Sequence, residues 1–302
     1  MTTLQTMRPF GFQLPLSLLD SCLITISQLL YYLPGEDFLA PEDQDLLEYL
    51  QILPAHMKER LMSLSAVLAP MNETSISALL RPSDPLNNNT ADPEADELEW
   101  EEQAASEPDD PVTSVDLSFS PIRMKTLRDL LCKSSLASST NLSKHLVPTL
   151  PFLNSLSLSG MANVQLNLSL LSILSACRNL QTLQLADLPC PTTLSPSQFL
   201  VRLSSSTTSL TELNLSYNPW LDYPDLETVD WTYRWPALYK LALVGCEVMT
   251  PAMSRQARIG NGPRSGTLKK AGEKGNAKTQ LAKEVWAMMT RKGSRLWVDV
   301  IL

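Results

Sequence analysis

The stretch Ser209-Leu210-Thr211-Glu212-Leu213-Asn214-Leu215-Ser216-Tyr217-Asn218 sets out an apolar residue, two fillers, a second apolar residue, one filler and a third. The pattern also occurs at Val112/Val115/Leu117, Leu153/Leu156/Leu158, Leu180/Leu183/Leu185 and Leu238/Leu241/Leu243. First positions of successive copies lie 41, 27, 30 and 28 residues apart. An interval near 28 accommodates one strand and one returning helix, so the period predicts a mixed α/β chain of stacked units. Side chains alternate along a strand, so the marked residues point into a shared core and those between them face the other way. That outward set is Ser114, Asp116 and Ser118; Ser155, Ser157 and Ser159; Thr182, Gln184 and Ala186; Glu212, Asn214 and Ser216; Lys240, Ala242 and Val244. Most are small and polar, without the aromatic and arginine anchors that dominate binding energy at many interfaces.

The chain between the strands supplies the returns. Met124 to Leu131, Leu166 to Cys177 and Pro196 to Leu203 have the length and apolar spacing of helices. The fourth return, from Asn218-Pro219-Trp220-Leu221 to Trp231-Thr232-Tyr233-Arg234-Trp235, is rich in tryptophan and proline and reads as an irregular aromatic wrap. Trp220, Trp231 and Trp235 either pack over the core or form an exposed patch for a partner. Beyond Leu238 the next interval is 57 residues if Arg295/Val298/Val300 marks a sixth strand. Leu281, Val285, Met288 and Met289 then read as a helix, and Leu296 to Leu302 as the closing strand.

Leu153-Asn-Ser-Leu156-Ser-Leu158-Ser, Asn179-Leu-Gln-Thr-Leu-Gln-Leu185 and the opening stretch, with Asn218 near the usual turn position, resemble leucine-rich repeats. The longer period resembles the ribonuclease-inhibitor and cysteine-containing subclasses, whose returns are helical. The resemblance covers about residues 112–250, with a degenerate last unit to 302. It implies a short α/β solenoid acting as a non-enzymatic protein-interaction scaffold. The residues expected to meet a protein partner are Ser155, Ser157, Gln184, Glu212, Asn214 and Lys240 on the concave face, with Trp220, Trp231 and Trp235 as the aromatic alternative.

Residues 14–82 read as a helical cap, which a solenoid needs because its first unit exposes an apolar end. Leu16, Leu19, Leu23, Ile26, Leu29 and Leu30 lie at helical spacing ahead of Leu33-Pro34-Gly35. Further helices are expected over Glu42 to Ile52, from Pro54 to Pro70, and over Glu73 to Leu80. Polar residues interrupt the apolar run Leu16 to Leu33, so it reads as amphipathic and not as a membrane span. Within the cap, Leu53-Pro54-Ala-His-Met57-Lys-Glu-Arg60-Leu61-Met-Ser-Leu64 resembles the opening of an F-box. That resemblance implies a substrate receptor of a ubiquitin ligase that docks the ligase adaptor through residues 53–80. The later aromatic and basic stretch of an F-box is replaced here by Ala69-Pro-Met-Asn-Glu-Thr-Ser.

The net charge of -8 conceals an asymmetry. Asp84 to Asp110 holds eleven carboxylates and no Lys or Arg, whereas Arg255 to Arg295 holds eleven basic residues. Residues 83–111 therefore read as a disordered acidic linker, with Leu98-Glu99-Trp100 as a candidate short binding motif, and residues 251–280 as a disordered basic insertion before the terminal unit 281–302. The acidic run would compete with any polyanion, which disfavours nucleic acid as a partner. The five cysteines avoid metal or redox spacing and suit a reducing cytoplasmic or nuclear setting. His56 and His145 are the only histidines, neither near a nucleophile and orienting carboxylate, and Gly260 to Thr267 fails the phosphate-loop pattern. No catalytic, cofactor or metal site is expected.

Overall fold

The computed structural model describes residues 17–33, 40–80, 111–134, 146–246, 283–287 and 299–301. The acidic run Asp84 to Asp110 and the basic insertion 251–280, together with Leu98-Glu99-Trp100, His145 and Gly260 to Thr267, lie outside the described residues. The chain opens with helices α1 (Leu18–Tyr31), α2 (Pro41–Gln51), α3 (Ala55–Leu68) and α4 (Glu73–Leu80). Strand β1 (Ser114–Asp116), helix α5 (Met124–Leu131) and strands β2 (Cys132–Ser134), β3 (Leu146–Pro148) and β4 (Ser155–Ser157) follow. Then come α6 (Leu168–Ala176), β5 (Thr182–Gln184), α7 (Pro196–Ser206), β6 (Glu212–Asn214), α8 (Tyr223–Glu227), α9 (Trp231–Arg234) and β7 (Lys240–Ala242). A helical turn at 283–287 and strand β8 (Asp299–Ile301) complete the described fold.

Six strands form one parallel sheet in the order β1-β4-β5-β6-β7-β8, so each new unit adds its strand beside the last. Register is uniform, placing Val115, Leu156, Leu183, Leu213, Leu241 and Val300 in a single row. All but Val300 are almost completely buried, as are the flanking rows from Leu153 to Leu238 and from Leu117 to Leu243. A slip of one residue would turn every leucine to solvent, which is why the pairing is sharply specified. The expected sixth strand is present, but its register differs by two residues. Val300 pairs with Leu241 as the middle core residue of its unit, instead of the third as in Arg295/Val298/Val300. A two-residue shift preserves the inward face, so alternation alone could not reveal it.

A repeated hydrogen-bond device joins the units where each strand begins. The carbonyl of Thr113 accepts from the N–H groups of both Asn154 and Ser155. Asn154 does the same for Gln181 and Thr182, Gln181 for Thr211 and Glu212, and Thr211 for Tyr239 and Lys240. At the β1 edge no earlier strand among the described residues serves Thr113 and Ser114. Glu59 Oε1 on α3 takes that place, accepting from Thr113 N at 2.6 Å, Ser114 N at 2.9 Å and Thr113 Oγ1 at 3.0 Å.

Local signals explain the helix ends. Ser17 caps α1, and Asn167 caps α6 through the N–H groups of Ser169 and Leu170. Ser195, Pro196 and Gln198 start α7 with a reciprocal capping box. Helix α3 packs on α1 and β1, α4 reaches α5, and α6 lies between α5 and α7. A buried hydroxyl pair, Ser27 with Ser65 at 2.7 Å, joins α1 to α3. Two features depart from the sequence expectation. Leu19 and Leu29 are 42% and 53% exposed, because the buried stripe of α1 runs through Leu23, Ser27 and Leu30. The long 41-residue first interval contains, besides the expected helix, an antiparallel pair of strands, β2 against β3, that the repeat pattern does not mark. Short polar strands such as Cys-Lys-Ser lack the apolar alternation that would announce them.

Candidate binding surface

The side of the sheet turned away from the core displays two ordered rows. One runs Ser114, Ser155, Thr182, Glu212, Lys240, Asp299 and the other Asp116, Ser157, Gln184, Asn214, Ala242, Ile301. The first four strands offer hydroxyls, amides and two carboxylates, Asp116 and Glu212. Asp116 Oδ1 accepts from Ser118 N and Oγ, and Ser118 Oγ lies 2.7 Å from Ser157 Oγ. Ser118 and Ser157 are buried by this network, so Ser157 is a poorer contact residue than its position suggests. Ala186 and Ser216 are also buried, which narrows the expected outward set. Ser155 and Asn214 are partly exposed, and Gln184 is exposed.

The far end is charged. Lys240 Nζ donates to Glu212 Oε2 at 2.8 Å, and Tyr239 Oη donates to Glu212 Oε1 at 2.6 Å. These two donors hold Glu212 below the ordinary carboxylate value of 4.5, against a smaller opposing effect of desolvation. The same bonds raise Lys240 above 10.5 and Tyr239 above 10.0.

A third alignment lies where the chain turns away from each strand, two residues beyond the third core position. Phe119, Gly160, Asp187, Tyr217 and Gly245 all occupy it with positive φ, between 52° and 71°. Their N–H groups donate across successive units, Phe119 to Ser159 O, Gly160 to Ala186 O, Asp187 to Ser216 O and Tyr217 to Val244 O. The Phe119 ring lies over Gly160 and the Tyr217 ring over Gly245. The strand pattern drew attention to the leucines and passed over this column. Lining up the five copies and reading the position shared by two glycines would have found it.

One residue further on, Asn218 is fully buried and fully bonded. Its Nδ2 donates to Leu185 O and Leu215 O, and its Oδ1 accepts from Leu188 N. In the next unit the Cys246 thiol repeats part of this role, donating to Leu215 O at 3.1 Å.

The aromatic alternative is corrected by burial. Trp231 and Trp235 are 2% and 0% exposed, with ring centroids 5.2 Å apart. Their indole N–H groups donate to Leu226 O and Thr207 O. Trp220 is partly buried, donates to Leu188 O and packs edge-on against Phe199. The wrap, which includes short α8 and α9, is therefore core cover, because large rings bury apolar area most efficiently where a return lacks a long helix.

Among the described residues His56 is exposed in the first turn of α3, and no group of three or more His, Cys, Asp or Glu could hold a metal ion. All five cysteines carry free thiols. Burial raises Cys132 to about 11 and Cys177 to about 12, so both are protonated at neutral pH. A cleft of about 710 Å³ lies beside β3 and α6, and Arg178 is the one charged residue of its described lining. No described helix is long and apolar enough to cross a membrane.

No protein-family model and no curated protein matches the sequence. Among solved structures the chain is similar to an internalin from Listeria monocytogenes, at 13% identity and a TM-score of 0.27. The match spans 53% of this chain and 36% of that one.

Proposed function

We propose that this chain is a non-enzymatic protein-interaction scaffold, a short leucine-rich-repeat solenoid with residues 14–82 as its N-terminal cap and residues 112–250 as its repeats. The carrying observation is the uninterrupted parallel register of six strands, which presents ordered rows of polar residues on one face while every described leucine of the five motifs is buried. An array that adds one strand per unit gains binding area with each repeat and needs no reactive group. Ser155, Gln184, Asn214 and the Glu212–Lys240 pair form the contact face in this reading. The ubiquitin-ligase reading rests on the Leu53 to Leu64 resemblance, and no observation among the described residues adds to it.

Site-specific photo-crosslinking tests the proposal. A photoreactive amino acid at Gln184 should yield discrete partner adducts in cells, whereas the same group at Arg202 on α7 should not. Equal yields from the two positions would overturn the assignment of the contact face.

A further inference from the structure

The turn column Phe119, Gly160, Asp187, Tyr217, Gly245 places bulky side chains where the backbone disfavours them. Glycine adopts positive φ freely, whereas a Phe or Tyr there is strained. Burial could offset that strain, yet Phe119 is 56% and Tyr217 57% exposed. Fold stability therefore does not account for the two aromatic choices. Each ring also rests on a residue that has no side chain of its own, Gly160 under Phe119 and Gly245 under Tyr217. A Cβ at Gly245 would fall 2.5 Å from Tyr217 Cδ1, so a bare glycine is what lets the ring lie there. The rings are thus preorganised and solvent-facing, the condition under which an aromatic side chain binds with little further loss of entropy.

Between the two aromatic positions the column carries Asp187, which is exposed. The adjoining sheet face has the same sign, with Asp116, Glu212 and Asp299 against Lys240, whose ammonium is already bonded to Glu212. A cation entering the column at Asp187 meets a carboxylate between two exposed aromatic positions, and both kinds of group attract it. Apolar neighbours of that cation would cover the exposed ring surface. Three strand spacings separate Phe119 from Tyr217, roughly 14 Å, which about four residues of extended chain span.

We propose that this column is an anchoring strip for a protein partner whose docking segment presents a lysine or arginine flanked by apolar residues. The proposal rests on the scaffold reading above and moves the energetic centre from the polar rows to the turns beside them.

The test pans the full chain against a phage-displayed library of random dodecapeptides. Selected peptides are then titrated by fluorescence anisotropy. The expected result is enrichment of basic residues with apolar neighbours, and affinity at least tenfold weaker in Asp187→Lys and in the Phe119→Gly/Tyr217→Gly double variant. The double variant should melt no lower than the parent, since glycine relieves the positive φ, and this separates lost binding from lost folding. Absence of enrichment, enrichment of acidic peptides, or unchanged affinity in both variants would overturn the strip. Gln184→Arg is the discriminating arm. Binding lost there but kept in the strip variants removes the strip and leaves the scaffold reading standing, whereas binding insensitive to all three variants removes both. Sedimentation of the parent chain covers one more occupant: self-association abolished by Asp187→Lys would make the strip a contact between copies of this chain and overturn the partner assignment.

Discussion

At the scale of single residues, the turn column shows how one atom decides what a position tolerates. Gly160 has φ +68° and lies beneath the Phe119 ring, so an added methyl meets both a backbone penalty and a ring. Gly160→Ala is expected to destabilise the fold by about 2 kcal/mol or more, of which the left-handed conformation contributes ~1–2 kcal/mol. Urea unfolding of Gly160→Ala, alone and in a Phe119→Ala background, measures the two parts. The steric part should vanish in the double variant, and equal penalties in both backgrounds would refute the ring contact. Asn218 illustrates the opposite economy, with one buried amide serving three backbone groups from two turns. Its partial counterpart Cys246 shows that the position asks for a donor and not for asparagine itself.

At the scale of elements, adjacent strands are tied by backbone bonds, and their side chains adjust the junction. Between β6 and β7 the adjustment is ionic, Glu212 with Lys240, at 27% and 40% side-chain exposure. An exposed pair of this kind contributes at most about 1 kcal/mol. The sign follows from the two shifts. Glu212 is lowered, so its contribution is present above 4.5 and lost as pH falls through its folded-state value. Lys240 is raised, so its contribution is present below 10.5 and lost as pH rises past its folded-state value. The stability gap between the parent and Lys240→Met, measured by urea unfolding across pH, should therefore be widest near neutrality and close at both extremes. A gap that stayed constant below 4.5 would mean that the pairing with Glu212 is not its source.

At the scale of the whole molecule, the central problem of a strand-by-strand array is its first edge. Strands β4 to β7 each begin with two N–H groups accepted by one carbonyl of the unit before, and among the described residues no unit precedes β1. Glu59 supplies the missing acceptor from α3, which makes the helical segment a continuation of the hydrogen-bond pattern as well as an apolar lid. Glu59→Ala should cost about 1–3 kcal/mol, the penalty of leaving partly buried donors unsatisfied. Glu59→Gln should recover most of it, because the amide oxygen still accepts. Hydrogen exchange at Thr113 and Ser114 checks this directly. Faster exchange at those two amides in the alanine variant is expected, and exchange unchanged from the parent would show that the carboxylate is dispensable at the edge.

Residues 209–218 and their four relatives were enough to read a mixed α/β chain, the strand positions and the leucine core, because period and alternation are properties of the chain itself. What lay beyond the sequence were relations between distant residues. The register of β8, the burial of Trp231 and Trp235, the β2–β3 pairing and the Glu59 acceptor each depend on which segments meet, and no local pattern records that. The same holds for Phe119 and Tyr217, whose exposure follows from the turn geometry and from the glycine one unit further on. Composition and spacing determined what is inside, and tertiary packing decided which of the remaining side chains stay available to a partner.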